Sequence, residues 1–498
     1  MKATQEQRAC LDAFNDGGNL RIEAAAGSGK TTVLRYIVYR GHLEGRALYT
    51  TFGKANIADA RKRFPADRIA VATNHSLAFR GFGSAWQQEG RLTGRMLPWE
   101  VQQVMGWADG TFAPHANART GAHLVMSTLD QFLQSSSDEI LVGHAMRVLG
   151  RRIANLAESV AFAQRLVNHA REVWARMMSR ADPMKITHDV YLKAWALTKP
   201  QLGFRHIFLD EAQDTSELMV GLLRDQEDCQ LTHVGDRYQS IYSWRGAINA
   251  MDSFDHDNST QLTQSFRFGP AIAHMANAVL REFLNSELRL TGFNEIQSTI
   301  GPVPEPTCVL ARTNASLFGE LIQRLVYAPS ERLGVVGGVE DMEKLVGGAE
   351  ALMRHERTWV PELVEFRNWN EVVSASKDVG YQFLKALVEL VETYGTQQLR
   401  AFLARVKGNE KDEASCKQLF STVHKAKGRE FDTVRLCDDF QPPPEPGATE
   451  TVWNPEEGNL LYVAVTRARQ RLDITGCSAA CIALAEHNAH TNKSQVSR

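Results

Sequence analysis

The sequence predicts an α/β protein with two parallel-sheet units, and three observations carry that prediction. Short apolar runs bounded by turns or polar residues recur with helical stretches between them, which is the pattern of strand–helix–strand units. A glycine-containing loop, Ala24-Ala25-Ala26-Gly27-Ser28-Gly29-Lys30-Thr31, lies between the first such run and a helical stripe of Val33, Leu34, Ile37 and Val38. Far downstream, the apolar run His206-Ile207-Phe208-Leu209 ends in Asp210-Glu211.

The expected strands are Leu20 to Ala24, Arg46 to Phe52, Ile69 to Thr73, His206 to Asp210 and Leu231 to Gly235 in a first set. A second set holds Cys308 to Arg312, Gly334 to Val336, Gln418 to Val423, Thr433 to Cys437 and Leu472 to Thr475. Two blocks break the alternation. Residues 89 to 185 read as helical, and their later part carries Arg147, Arg151, Arg152, Arg165, Arg171, Arg176 and Arg180 against Glu158, Glu172 and Asp182. That bias fits either a solvated helical face or a basic flank for a polyanion. Residues 339 to 411 form a second helical, strand-poor block. Both read as insertions into sheet domains.

Composition narrows the class. With 43% apolar and 23% charged residues the chain is of globular type, so disorder is excluded as its dominant state. Lys plus Arg number 56 and Asp plus Glu 58, a net charge of −2, so any nucleic-acid site must be a local groove. No apolar run has the length of a membrane span, and Met1-Lys2-Ala3-Thr4-Gln5-Glu6 is no signal peptide, so a soluble intracellular protein without membrane contact is expected. The seven cysteines (Cys10, Cys229, Cys308, Cys416, Cys437, Cys477, Cys481) are scattered without CxxC spacing and read as reduced thiols.

The loop at residues 24 to 31 is the strongest chemical signal. Successive backbone N–H groups with a helix N-terminus behind them make an anion cradle, and phosphate is its natural occupant. Lys30 would reach the β- and γ-phosphates, and the Thr31 hydroxyl would join a Mg²⁺ shell. Alanine stands at position 24 where the strict pattern has glycine, while Gly27 and Gly29, nearest the phosphates, are kept. Asp210 would hold Mg²⁺ and Glu211 would polarise the attacking water. ATP and Mg²⁺ are therefore the expected cofactors.

Beyond this pair the chain reads Val234-Gly235-Asp236-Arg237-Tyr238-Gln239-Ser240-Ile241-Tyr242-Ser243-Trp244-Arg245-Gly246-Ala247, which resembles motif III of superfamily 1A helicases, the UvrD/Rep-like group. Gln264-Ser265-Phe266-Arg267 is similar to motif IV, residues 422–431 to motif V and residues 461–468 to motif VI, in the family's order. Upstream, Gln5-Glu6-Gln7-Arg8 is similar to the Q motif, residues 50–55 to motif Ia and residues 73–76 to motif Ib. Within the family, residues 187–193 and 262–269 look most like the F-box DNA helicase branch. A chain beginning at the helicase core leaves no room for an F-box, so a ubiquitin-ligase role is not expected.

The resemblance implies two RecA-like P-loop domains, each with a mainly helical insertion. Domain 1A would take residues 1–88 and 186–253, and 1B residues 89–185. Domain 2A would take 254–338 and 412–498, and 2B, reduced, 339–411. It implies an ATP-dependent 3′–5′ DNA helicase or translocase. Catalysis would rest on Lys30, Asp210, Glu211, the γ-phosphate sensor Gln239, and Arg267 and Arg467, which would bring positive charge from the second domain across a cleft. Gln7, Ala26, Gly27, Ser28, Gly29, Lys30, Thr31, Thr32, Phe266 and Glu430 would bind the nucleotide, with Phe266 stacking on adenine in place of the more common tyrosine. Thr31 and Asp210 would hold the metal. Phe52, His75, Tyr242, Trp244, Arg312, Asn314, Thr422 and His424 would contact DNA, the aromatics by stacking.

Departures are visible too. Residues 456–459 lack the arginines common before motif VI, and the second insertion is short, so autoregulation by it is not expected. Single-stranded and tailed duplex DNA are the expected partners, with recombination or replication proteins as further candidates. A monomer is expected, in the cytoplasm of a bacterium or phage host or in a nucleus. Two alternatives are a translocase that strips recombinase filaments from single strands, and an ATP-gated strand-binding module that does not cycle.

Overall fold

A computed structural model describes residues 3–51, 54–150, 153, 155–377, 384–443 and 453–496. The chain divides into two compact units, Met1–Ala24 with Gly29–Leu262, and Ala25–Ser28 with Thr263–Arg498. Among the described residues no helix is long and apolar enough to cross a membrane.

The first unit is built on six strands: β1 (Leu20–Ala24), β2 (Ala47–Thr51), β3 (Ile69–Thr73), β4 (His206–Asp210), β5 (Gln230–Gly235) and β6 (Asn258–Leu262). They lie in the order β3-β2-β4-β5-β1-β6, and every neighbouring pair is parallel. Both faces are covered, which is why these strands read as nearly continuous apolar runs. Tyr49 and Phe208 point into one core with Phe14, Val33, Leu34, Ile37 and Val38. Their neighbours Leu48, Ile207 and Leu209 point into the other, with Leu218, Leu222 and Met251. Because the strands are all parallel, the loops after β1, β4 and β5 leave the same edge of the sheet, the edge at which open α/β sheets bind ligands.

The sheet extends past residue 253, where the sequence placed the end of the first domain. β6 pairs with β1 from Leu20↔Asn258 to Ala24↔Leu262. Its sequence, Asn-Ser-Thr-Gln-Leu, is an edge strand with alternate residues toward water, so it lacks the apolar signature that marks the other five.

Between β3 and β4 the chain is helical. The long helices Ala118–Gln134 and Leu156–Met178 start at Asn117 and Asn155, whose side chains accept first-turn N–H groups. Their buried residues, among them Val125, Leu129, Phe132, Phe162, Leu166 and Val173, form one core with a face of the sheet. An isolated parallel bridge pairs Leu92 with Ile186, so the chain goes into and comes out of this block side by side. Buried Arg91 ties that base to the C-terminal end of Leu156–Met178, donating to the carbonyls of Met184 (2.9 Å), Ser179 (2.8 Å) and Met177 (2.7 Å).

The arginines of this block are largely consumed at home, which favours the structural of the two readings. Arg165 donates to the Ala113 carbonyl, Arg171 to that of Ile140, and Arg176 to Asp182 and the Val104 carbonyl. Arg180 pairs with Glu89 and lies over the Trp86 ring. Arg151 and Arg152 lie outside the described residues.

The second unit carries β7 (Thr299–Ile300), β8 (Cys308–Ala311), β9 (Leu333–Val335), β10 (Gln418–Thr422), β11 (Phe431–Leu436) and β12 (Ala468–Asp473). They are parallel in the order β7-β12-β11-β8-β10-β9. The helices Asn314–Tyr327, Glu340–Met353 and Lys385–Val406 pack through Phe318, Leu321, Leu345, Val346, Leu387 and Leu403 onto Val309 and Phe420 of this sheet. β7, two residues long, gave no pattern to read.

Arg91→Leu leaves three carbonyls at the base of the helical block without their donor. We expect it to lower stability by about 2–4 kcal/mol, measured by denaturant unfolding, with Leu156–Met178 losing hydrogen-exchange protection first.

Candidate active site

The loop after β1 has the conformation its residues require. Gly27 and Gly29 both have positive φ, +75° and +88°. At Gly27 a Cβ would stand 2.4 Å from Ser265 Oγ and 2.8 Å from Arg267 Cβ, within the second unit. Gly29 is the N-cap of helix Lys30–Arg40 and offers its first turn no side-chain oxygen, so the N–H groups there are left to a ligand. Ser28 Oγ is buried without a hydrogen-bond partner. A buried hydroxyl lacking a partner, beside a helix N-terminus without a side-chain cap, fits an anion such as phosphate.

In the first unit the charged groups converge at the sheet edge. Lys30 Nζ lies 3.2 Å from Glu211 Oε2. Thr31 Oγ1 donates to Asp210 Oδ2 at 3.0 Å, and the Glu211 N–H donates to Asp210 Oδ1 at 2.9 Å. Adjacent ligands of an octahedral Mg²⁺, each at ~2.1 Å, stand ~3.0 Å apart, which is the separation of the Thr31 and Asp210 oxygens. Among the described residues no three His, Cys, Asp or Glu side chains converge as a metal cage. Thr31 and Asp210 are the residues there that could hold such a cation. Glu211 holds a left-handed backbone, φ +55°, uncommon for such a residue and typical of strained functional turns.

Burial and neighbouring charge shift the titration of both groups at the centre of this cluster. Burial, and then the neighbouring Glu211, push the Asp210 carboxyl up to about 6 against hydrogen bonds and charge from Tyr49, Lys30 and Thr31. Burial pulls the Lys30 ammonium down, but Glu211, Asp236 and Asp210 outweigh it and hold its pKa above the ordinary value. Tyr49, fully buried on β2, donates its hydroxyl to Asp210 Oδ2 at 2.6 Å. Sequence reasoning missed Tyr49, because nothing in Ala-Leu-Tyr-Thr-Thr singles it out before β4 brings Asp210 alongside.

A hydrogen-bonded line leaves this cluster. Gln213 Nε2 donates to Glu211 Oε2 (2.6 Å), the Asp236 N–H donates to Gln213 Oε1 (3.1 Å), and Gln239 Nε2 donates to Asp236 Oδ2 (2.7 Å). Gln239 opens the segment that runs to Tyr242 and Trp244, whose rings meet edge to face at 6.5 Å. Trp244 is 65% exposed, unusual for so large an apolar side chain. His75 sits in the first turn of helix Asn74–Ala78, with Nε2 3.0 Å from Asp189 Oδ1 and its ring edge-on to Tyr191. Part of the 187–193 stretch therefore serves to seat His75. Lys193 of the same stretch is structural: its buried ammonium donates to the carbonyls of Ser135 and Ser137 and lies 4.3 Å from the Phe132 ring centroid. Phe52 lies outside the described residues. Gln7 is buried in a capping box with Thr4, its Nε2 3.9 Å from where a Cβ on Gly29 would stand, and Thr32 is exposed.

The second unit gathers Ala26, Gly27, Phe266, Arg267, Glu430 and Arg467. The Phe266 N–H donates to Gly27 O (2.8 Å), the Tyr462 hydroxyl accepts from the Ala26 N–H (3.2 Å), and the Phe266 ring packs at 5.5 Å on Phe293. Arg267 donates to Glu430 (3.0 Å) and the Thr466 carbonyl (3.1 Å). Arg467 is buried, donating to the carbonyls of Val463 and Arg429 and to Thr466 Oγ1. Arg312 is given to Glu457 in a two-pronged pair at 2.6–3.1 Å, which raises its pKa. Asn314 begins helix Asn314–Tyr327, Thr422 is the N-cap of helix Val423–Ala426, and His424 is half-buried in that turn.

The folded pKa of Asp210 lies above its ordinary value of 3.8. The metal-free fold therefore loses stability as pH rises through the window from 3.8 to about 6, and it stays penalised above that window. In a chelator, Asp210→Asn should raise the melting temperature at pH 8 by about 3–6 °C, with the gain shrinking toward pH 4 in thermal scans.

Residues 3–259 match the UvrD/REP helicase N-terminal domain and residues 354–479 the UvrD-like helicase C-terminal domain. The chain is 31% identical to the F-box DNA helicase 1 of Gallus gallus, over 98% of this chain and 50% of that protein. It is 26% identical to the F-box DNA helicase protein 1 of Schizosaccharomyces pombe, over 94% of this chain and 57% of that one. It is also 26% identical to the ATP-dependent DNA helicase UvrD1 of Mycobacterium bovis, over 53% of this chain and 38% of that one. The chain thus spans about half the length of the F-box relatives it matches. With the N-terminal domain matched over more than half its residues and the C-terminal domain behind it, the chain belongs to the UvrD/REP helicase family.

Proposed function

We propose that this chain is an ATP-driven motor on single-stranded DNA that moves 3′ to 5′ and unwinds duplex, in repair, recombination or replication. The observation that carries the reading is the line of contacts from Lys30 and Glu211 through Gln213 and Asp236 to Gln239, which stands five residues before the exposed Trp244. A charge cluster suited to a nucleotide, joined to a segment with an exposed indole suited to stacking on bases, supports a motor that couples the two. The matches to proteins named as DNA helicases support the same reading.

In this reading the loop N–H groups and Lys30 bind the triphosphate, and Thr31 and Asp210 hold Mg²⁺. Held there, the ion would supply positive charge to the phosphates. Glu211 orients the attacking water and takes its proton. Gln239 senses the γ-phosphate, and Arg267 and Arg467 bring positive charge to it. Gln7, Phe266 and Glu430 hold the base and sugar. Tyr242, Trp244 and Phe52 stack on bases, while His75, Arg312, Asn314, Thr422 and His424 hold the backbone. Residues 89–185 and 339–411 are insertions 1B and 2B of domains 1A and 2A.

Lys30→Ala should lower strand-stimulated ATPase by about a hundredfold or more. Glu211→Gln should abolish turnover while keeping ATP binding, whereas a non-cycling binding module would keep a slow turnover that the substitution leaves unchanged. Trp244→Ala should weaken single-strand binding by about 1–3 kcal/mol, read by fluorescence anisotropy. With ATP and Mg²⁺, wild-type chain should displace the strand of a 3′-tailed duplex and leave a 5′-tailed one paired. Clearance of recombinase filaments without strand displacement would identify the stripping translocase instead.

A further inference from the structure

Gln213 is completely buried in the turn Ala212–Asp214, two residues beyond Glu211. Both ends of its amide are in use, and they reach different elements. Nε2 donates to Glu211 Oε2 at 2.6 Å, after β4, and Oε1 accepts from the Asp236 N–H at 3.1 Å, after β5. The orientation of the amide is fixed by its partners, because only an oxygen can face a backbone N–H and only an N–H₂ can face a carboxylate oxygen.

Two further features seat this bridge. At Gly235 a Cβ would stand 2.5 Å from Gln213 Oε1 and 2.6 Å from Met251 Sδ, so a larger residue there would displace the amide. From the other side, Ser240 Oγ donates to the Gln213 carbonyl at 3.2 Å. Asp236, the acceptor-bearing neighbour, binds both the Tyr238 N–H (3.1 Å) and Gln239 Nε2 (2.7 Å). Residues 236–240, which lead into the turn Ser243–Arg245 bearing Trp244, are thus attached to Gln213 through the Asp236 N–H and the Ser240 hydroxyl.

We propose that Gln213 is a positioning residue that couples the strand-facing turn to the hydrolytic carboxylate, an inference that rests on the motor reading above. A shift of residues 236–240 moves the Ser240 hydroxyl, which holds the Gln213 main-chain carbonyl, and the Asp236 N–H, which acts on the Gln213 side-chain amide. That amide in turn sets the direction of the Glu211 carboxylate. Only an amide does this. A carboxylate at 213 keeps the Asp236 end and repels Glu211, and an apolar side chain of the same shape strands both partners.

The test uses the full chain as wild type, Gln213→Met and Gln213→Glu, with fluorescent ATP analogue binding and with ATPase measured without and with saturating oligo(dT). Nucleotide affinity should stay within about threefold of wild type, while strand-stimulated kcat falls by about tenfold or more, the worth of one hydrogen bond to a charged group. The ratio of stimulated to basal rate should approach one. In a Gln239→Ala background, Gln213→Met should cost little more, because both residues act on one line.

Stimulation equal to wild type in both variants overturns the inference, as does a loss confined to KM or one that multiplies with Gln239→Ala. Should Gln213→Met not fold, Gln213→Glu, which conserves shape, decides between the same outcomes. A wild-type chain whose ATPase ignores oligo(dT) overturns the motor reading and this inference with it, and so is distinguished from failure of the inference alone.

Discussion

One ammonium and two carboxylates meet at the edge of the first sheet, where water barely reaches. Asp210 is 2% exposed, and the side chain of Lys30 12%. None of these charges is tolerable there alone, since an isolated ion in such a place costs several kcal/mol of lost hydration. Together they hold one another, and the remaining lone pairs of Asp210 are met by Thr31, Tyr49 and the Glu211 N–H. Burial, and after it the negative charge of Glu211, still outweigh these contacts, which is why the Asp210 carboxyl is pushed up to about 6.

The architecture around this cluster follows from the need to present it. A parallel sheet covered on both faces sends the ends of β1, β4 and β5 to one edge, so residues some 200 positions apart become neighbours. Apolar packing holds the strands, and the polar chemistry is confined to their last residues and the turns that follow. The second unit repeats the six-stranded parallel plan with its own arginines and acids, and there the charges are already paired: Arg267 with Glu430, Arg312 with Glu457.

Much of this is legible in the sequence because it is encoded locally. Each of the ten expected strands overlaps an observed one, although β12 (Ala-Arg-Gln-Arg-Leu-Asp) begins four residues before the expected Leu472 because its first part is too polar to read, and the loop at 24–31 and the acids at 210–211 are read from their immediate context. What escapes is encoded by distance. β6 is polar and takes its place only through pairing with β1, and β7 is too short to carry a pattern. Tyr49 and Gln213 look unremarkable until β4 and β5 bring their partners alongside. The arginine-rich tract of residues 147–180 misleads in the opposite sense, for a count of charges does not record that Arg165, Arg171, Arg176 and Arg180 each have a partner within the block.

Arg91 is another such case, for its three acceptors lie on the far side of ninety residues of helix. Leu92 and Ile186 look like convenient splice points, since the chain passes them side by side. A chimera cut there would nonetheless inherit a guanidinium fitted to the helix end it had discarded. Modular exchange of this block therefore has to move its boundary outward by at least one residue, taking the clamp along with what it grips.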